Sequence, residues 1–200
     1  MRLYNMHNSG NCYKVRLTAY QLGLPLDIIH VDVLAQETRT DTFLTKNPNG
    51  RVPLLETPLG LLTESIAILE YAAEDLIPGD AFAAARMRET IQYLSSTMHV
   101  AHAHRLRGHR WATQDASFED MRAKVADNIK ASCAYLESHL DFAPFAIGDR
   151  LTLADVYLFM LLSWAPGDGV DLAGYPKLHE FVLMMNERAS VQAVREKGML

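Results

Sequence analysis

The chain has 200 residues and a formal net charge of −5 at pH 7, and 49% of its residues are hydrophobic. This length predicts one large or two small domains, and the negative charge without any basic run argues against a nucleic-acid partner. The longest apolar stretch, residues 156–162, is far shorter than the roughly 20 residues that cross a bilayer. We therefore expect neither nucleic-acid binding nor a membrane-spanning segment.

The two cysteines, Cys12 and Cys133, are too few for a disulfide-stabilised scaffold. The first residues, MRLYNMHNSGN, lack the apolar stretch and the cleavage site of a secretory signal. We expect reduced cysteines and a cytoplasmic location, with Cys133 packed in the core on an apolar helical stripe.

The first third of the chain alternates strand and helix patterns. A short apolar strand over 1–6 is followed by a helix that Gly23 and Pro25 end, and then by a β-branched strand over 26–33. This order predicts a right-handed βαβ unit with parallel strands. A weaker helix is predicted over 34–46.

The stretch NPNGRVP, residues 47–53, precedes the next strand, predicted over 52–56. Proline cannot donate to a sheet ladder, so Pro53 should lie at a strand start, at an edge or at a bulge. A second strand over 59–62 closes a hairpin, and a helix is predicted from Ser65. The predicted first domain is thus an α/β domain of order βαβαββα with a mixed sheet.

The strand patterns stop at the Ile77-Pro78-Gly79-Asp80 step. We predict a first domain over 1–77, a linker over 78–84 and an all-helical domain over 85–200. The TLAD sequence at 152–155 has the spacing of a capping box at the start of a nearly all-apolar helix, which predicts a buried box whose role is folding.

Beside NPNGRVP, the triplet Thr63-Glu64-Ser65 opens an apolar helix. A helix start with free N–H groups suits a carboxylate, and a strand edge beside it suits a small peptide with a charged end. From the residues alone, Ser9 or Asn11 is most simply the N-cap of the first helix.

The order and spacing of NPNGRVP, the sequence TESIAI at 63–68 and the TLAD box resemble the cytosolic glutathione S-transferase family over nearly the whole chain. The resemblance implies a thioredoxin-like domain, a helical domain, glutathione as co-substrate without a metal, and a homodimer. It also implies that Pro53 is cis, that Val52 pairs by its backbone with glutathione, and that Glu64 and Ser65 hold the γ-glutamyl end, with Arg51 nearby.

The sulfur-facing residue of the family should follow the first strand. The Ser-x-x-Cys spacing is similar to the serine-type classes, which assigns Ser9 as the thiolate's hydrogen-bond donor. Asn11 is similar to a bacterial branch, the Nu class, in which a Thr-x-Asn pair contacts the sulfur. Cys12 suggests a cysteine-type mechanism as a third possibility, and its alternative is a small residue packed in the first helical turn.

Some serine-type members carry a histidine where Gly50 stands and another where Thr38 stands, and these contact the glycyl end of glutathione. This chain lacks both histidines. The candidates for the glycyl carboxylate are Gln36, Thr38, Arg39 and Arg51.

The family places its pocket for a hydrophobic electrophile over the helix that follows the linker. The candidate lining residues are Tyr93, His99, His102 and Arg105, and the alternative is a solvated or dimer-facing surface. The histidines of this region lack an acid or cysteine that would complete a ligand set, so we expect no metal.

The predicted function is transfer of glutathione to electrophilic small molecules. A first alternative is glutathione-dependent reduction of disulfides or peroxides at the same site. A second alternative is a non-catalytic interaction module with the same fold.

Overall fold

A computed structural model describes residues 1–196 of the chain. Its contacts form two compact units: the first comprises Met1–Ile77 and the segment that begins at Glu187, and the second comprises Pro78–Asn186. The predicted helical domain runs to residue 200, whereas the second unit ends at Asn186. The predicted linker over 78–84 also differs from the structure, because the Asp80 side chain accepts the Ala83 N–H at 2.8 Å and starts a helix at Ala81.

The first unit contains a four-stranded mixed sheet. Its strands are β1 (Arg2–Asn5), β2 (Asp27–His30), β3 (Leu54–Thr57) and β4 (Gly60–Leu62), in the order β2-β1-β3-β4. β1 and β2 are parallel, while β1 with β3 and β3 with β4 are antiparallel. The predicted βαβ unit and hairpin are confirmed.

Helix α1 (Gly10–Leu22) connects β1 to β2 and is capped at both ends. Ser9 has extended backbone angles and its hydroxyl oxygen accepts the Cys12 N–H at 3.4 Å. Gly23 has φ +63° and its N–H bonds the carbonyls of the last turn, as its position in the sequence predicts.

The helix predicted over 34–46 is divided in the structure. A 3₁₀ turn, Glu37–Arg39, precedes the short helix α2 (Asp41–Lys46). Thr40 separates them because its backbone is extended and its hydroxyl accepts the Phe43 N–H at 3.3 Å.

Helix α3 (Ser65–Ala72) and helix α9 (Ala189–Glu196) complete the first unit. Ile68 and Leu69 of α3 are buried. α9 packs against α1 with Val191 and Val194 buried, and the Gln21 side chain accepts from the Ser190 hydroxyl at 2.8 Å. These contacts assign Ala189–Glu196 to the first unit.

The second unit is helical. Its described helices are listed here in chain order: α4 (Ala81–Tyr93), α5 (His99–Arg107), α6 (Asp115–His139), α7 (Leu153–Trp164) and α8 (Pro176–Asn186). A π-helical segment, Leu94–Met98, joins α4 to α5. Of the helices in residues 1–196, none has both the length and the apolar character needed to span a membrane.

The core of the second unit is α7, which is buried on all sides over its first ten residues. The predicted capping box is present at its start, and Asp155 is fully buried. The Asp155 carboxylate accepts the Thr152 N–H at 2.7 Å, the Thr152 hydroxyl at 2.8 Å and the Ala146 N–H at 2.7 Å. Desolvation raises the pKa of Asp155, and these three hydrogen bonds oppose that rise. The carboxylate therefore joins the preceding loop to the helix start.

Candidate functional site

The NPNGRVP stretch places an unpaired piece of backbone beside the sheet. The Val52–Pro53 peptide bond is cis, and Pro53 lies just before the first residue of β3. The pairing of β3 with its neighbours begins at Leu54. The backbone of Val52 thus lies outside the ladder, where it can pair with an extended peptide.

Asn47 stabilises this stretch from inside. Its side chain is 2% exposed, its amide nitrogen donates to the Arg51 carbonyl at 2.8 Å, and its oxygen accepts the Asn49 N–H at 3.1 Å. Sequence reasoning assigned no role to Asn47. In the sequence, this role of Asn47 in ordering the turn is indicated only by its position directly before the first proline of the stretch.

Arg39 covers Gly50. Gly50 has φ +58°, and a Cβ built there would lie 2.5 Å from Arg39 Nη1 and 2.9 Å from the Thr38 carbonyl oxygen. Arg39 Nη1 also donates to the Asn49 carbonyl at 3.4 Å. A side chain at Gly50 would collide with the Thr38 carbonyl oxygen in a backbone conformation that L residues rarely adopt, so glycine is favoured there on steric grounds.

The four candidate residues for the glycyl carboxylate differ in their exposure to solvent. Thr38 is 1% exposed, so its hydroxyl cannot reach a ligand on the surface. Arg39, Arg51 and Gln36 are exposed. Of these three exposed side chains, the two arginines carry a positive charge, which favours a carboxylate.

The start of α3 combines strain with free N–H groups. Glu64 precedes the helix with φ +64° and ψ +117°, a conformation that non-glycine residues rarely adopt and that costs about 1–3 kcal/mol. Ser65, the first helical residue, is 8% exposed, while Glu64 is exposed. Backbone strain of this kind is concentrated at ligand sites.

The start of α1 carries the three candidates for the thiol-facing group. Ser9 is half-buried and is the N-cap, which agrees with the simplest interpretation of the sequence. The two roles are compatible, because a hydroxyl oxygen that accepts the Cys12 N–H keeps its own proton for donation.

Cys12 differs from the expectation of a reactive thiol. Its side chain is fully buried, and desolvation raises its pKa, against the lowering effect of Ser9 and of the nearby Arg16. A raised pKa and no access make a poor nucleophile. The structure supports the alternative, a small residue packed in the first turn, and we remove Cys12 from the candidate catalytic residues.

Two helix starts that are distant in sequence meet in the first unit. The Ser65 hydroxyl donates to Asn11 Oδ1 at 3.3 Å, across 54 positions of the chain. The candidate γ-glutamyl end and the candidate sulfur end of the site are therefore in direct contact. No pattern in the sequence indicates this hydrogen bond.

In the second unit, His102 and Arg105 converge on Asp168. His102 Nδ1 lies 2.7 Å from Asp168 Oδ2, and Arg105 Nη1 donates to Asp168 Oδ1 at 3.3 Å. The Asp168 side chain is only 2% exposed. Arg105 reaches it because Gly167 has no side chain: a Cβ there would lie 2.7 Å from Arg105 Nη1.

His99 joins the same cluster and Tyr93 does not. His99 Nδ1 lies 2.8 Å from the Tyr157 hydroxyl, and the rings of His99 and His102 both contact Trp164. The Tyr93 ring instead packs on Tyr135, with centroids 4.4 Å apart. Sequence reasoning missed three members of this cluster, which are Tyr157, Trp164 and Asp168.

Among residues 1–196, no three histidine, cysteine, aspartate or glutamate side chains are grouped so that they could hold a metal ion. The βαβαββα order, the cis proline before β3 and the following helices define the class: a thioredoxin-like domain joined to a helical domain.

Comparison with known proteins narrows this class to a family. The family model for the N-terminal domain of glutathione S-transferases matches residues 1–74, and the model for their C-terminal domain matches residues 101–182. The chain is 32% identical to a glutathione S-transferase of Xanthomonas campestris over 85% of each chain. It is 30% identical to a maleylpyruvate isomerase of a Ralstonia species over 88% of this chain and 87% of the other.

A solved structure is similar over the full length. The crystal structure of a glutathione transferase homologue from Sulfitobacter, with bound glutathione, superposes with a TM-score of 0.91 at 43% identity. The superposition covers 100% of this chain and 98% of that one. The chain belongs to the glutathione S-transferase family.

Proposed function

We propose that this chain is a glutathione S-transferase that binds glutathione on its first unit, stabilises the thiolate and transfers it to an electrophilic carbon. The observation that carries the proposal is the arrangement of three features in that unit: the unpaired backbone at Val52, the strained start of α3 and the capped start of α1. Each suits a different part of one extended tripeptide.

Residues of the first unit suit each of the three parts of glutathione. The free N–H groups at the start of α3 favour the γ-glutamyl carboxylate, and the exposed Glu64 carboxylate favours the ammonium. The Val52 backbone pairs with the cysteinyl backbone as an added strand residue. Arg39 and Arg51 supply positive charge for the glycyl carboxylate, with Arg39 seated over Gly50.

The thiol chemistry depends on the start of α1. A free thiol has a pKa near 8.5, and lowering it by ~2 units requires about 2.7 kcal/mol of preferential thiolate stabilisation. A hydrogen bond from Ser9 to the charged sulfur contributes about 1.5–3 kcal/mol. Asn11 and the first N–H groups of α1 contribute the remainder. The thiol proton leaves to solvent, the sulfur forms the bond to carbon, and the leaving group departs with its electron pair.

For the electrophile we propose candidate residues that all lie in the second unit. We keep His99, His102 and Arg105 for this role, because they share one cluster with Trp164. We remove Tyr93, whose ring packs on Tyr135. Family membership also supports a homodimer and a cytoplasmic location, which we include in the proposal.

Two further reactions use the same thiolate. The resemblance of Asn11 to the Nu class favours disulfide reduction, and the similarity to the Ralstonia isomerase favours isomerisation of an unsaturated diacid. In each, glutathione binding precedes the chemical step. A panel of an activated aryl halide, a small disulfide and a maleyl diacid therefore tests all three.

We expect conjugation of the aryl halide at a rate clearly above that of glutathione alone. Replacing Glu64 with glutamine should raise the KM for glutathione by about 5- to 20-fold, because the ammonium loses a charged partner, and should leave the KM for the halide unchanged. Glu74→Gln removes the same charge from an exposed position just beyond α3 and should change neither KM. No acceleration of any of the three reactions would contradict the proposal.

A further inference from the structure

A cavity of about 160 Å³ lies in the second unit, between the end of α5 and the first turns of α6. The three features proposed to hold glutathione all belong to the first unit. Gly108 lets the turn after α5 approach α6, since a Cβ there would lie 3.0 Å from Phe118 Cδ1 and 3.3 Å from Met121 Sδ. Sites for drug-sized ligands measure about 300–1,000 Å³, so this cavity suits a much smaller molecule.

The lining of this cavity is basic. The segment 104–110, HRLRGHR, contains three arginines, two histidines and no acid, in a chain whose formal net charge is −5. Other residues interrupt these charges, so the sequence shows no continuous basic run. The fold nevertheless gathers His104, Arg105 and His109 around one cavity and adds Arg122 from α6. Among the residues that the structure describes, no aspartate or glutamate lines it.

Arg122 is held with its charge available to a ligand. Its side chain is exposed, and its Nε–H donates to the Phe118 carbonyl at 3.2 Å, one helical turn earlier. Within residues 1–196, its two Nη nitrogens make no hydrogen bond and no ion pair. Such a guanidinium offers two parallel N–H donors, which is the geometry that binds two oxygens of a phosphate at once.

Arg105 differs from Arg122 because its charge is already compensated. Its Nη1 donates to Asp168 Oδ1 at 3.3 Å, and that carboxylate is 2% exposed. Arg105 therefore lines the cavity without adding net charge, and Arg122 provides the main attraction for an anion. His104 and His109 add further donors, since an imidazole carries at least one N–H in either protonation state.

We propose that this cavity is a binding site for a small dianionic oxyanion, with two oxygens held by the Arg122 guanidinium and the others by N–H groups of His104 and His109. A carboxylate has only two oxygens and would use the guanidinium alone, whereas a tetrahedral oxyanion also reaches the histidines. The ligand class is phosphate, either free or as the head group of an ester. Phe118 and Leu106 complete the wall and would contact an apolar ester group.

Titration of the full chain with inorganic phosphate tests the site, at constant ionic strength and at pH 8, where phosphate is mainly a dianion. The readout is NMR of the Arg122 Nε–H and of the ring resonances of His104 and His109. We expect shifts of these resonances that saturate together with a Kd of about 1–10 mM, as for a few charge-assisted hydrogen bonds at an open surface.

Three variants locate the binding. Arg122→Gln should raise the Kd about 10-fold or more, because the bidentate charged donor is lost. Arg122→Lys keeps the charge without the fork and should raise it by less. The matched control is Arg150→Gln, which removes the same charge from another exposed position of the second unit, outside this cavity. The control should keep the Kd within about twofold, because salt screens an exposed charge that does not contact the ligand.

Phenyl phosphate distinguishes the two sources of the oxyanion. A Kd about fivefold or more below that of phosphate would identify an ester head group whose ring contacts Phe118, and equal Kd values would identify the free anion. Shifts that do not saturate, or equal weakening by Arg122→Gln and Arg150→Gln, would overturn the inference. None of these measurements uses glutathione, so a failure here is distinguishable from a failure of the proposed function.

Discussion

Replacing Ser9 with alanine is expected to lower kcat/KM for conjugation by about 10- to 50-fold at pH 6.5. The hydroxyl stabilises the thiolate by about 1.5–3 kcal/mol, so its loss raises the pKa of the bound thiol by about 1–2 units. At pH 6.5 most of the thiol is then protonated. At pH 9 the bound thiol is mainly ionised in both the wild-type protein and the variant, and the difference in kcat/KM between them should fall to a few-fold. Initial rates measured from pH 5.5 to 9 check this result.

The alanine variant also loses an N-cap, because the Ser9 oxygen accepts the Cys12 N–H. Ser9→Gly separates the two effects, since glycine at an N-cap costs only a few tenths of a kcal/mol. Thr40→Ala removes a comparable cap from α2 and should leave the pH profile unchanged. A Ser9→Gly protein with the wild-type pH profile would exclude Ser9 from the thiol chemistry.

Replacing Asp155 with alanine is expected to lower the free energy of unfolding by about 3–5 kcal/mol. The change leaves the Thr152 and Ala146 N–H groups and the Thr152 hydroxyl without their acceptor in a fully buried place. For a chain of this size such a loss corresponds to a decrease in Tm of about 8–15 °C. Urea denaturation followed by circular dichroism checks the value.

The matched control is Asp171→Ala. Its carboxylate accepts the Ala173 N–H at 2.9 Å at the start of an exposed turn, where water can replace it. We expect a change below about 1 kcal/mol. Equal effects of the two substitutions would contradict the view that burial of the capping box makes Asp155 important for stability.

Much of the fold is predictable from local sequence. Gly23 ends α1, the TLAD box starts α7, and Pro53 directly precedes β3, because each of these residue types restricts the backbone at its own position. The errors in the first unit are also local. The Thr40 hydroxyl competes for a backbone N–H and divides a helix that apolar spacing alone makes continuous.

The features that sequence reasoning missed depend on residues far apart in the chain. Ser65 reaches Asn11 across 54 positions, and Asp168 reaches His102 across 66. The packing of α9 against α1 and the complete burial of Cys12 also depend on tertiary packing. Periodicity and capping patterns describe neighbours within a few residues, so they carry no information on such contacts.

One extended tripeptide is proposed to bind along Val52 and the start of α3, and calorimetric titration of the full chain with reduced glutathione tests this binding most directly. We predict heat of association that saturates at one glutathione per chain and a markedly weaker affinity for Glu64→Gln. The absence of any heat with the wild-type chain, together with its failure to be retained on immobilised glutathione, would contradict the claim.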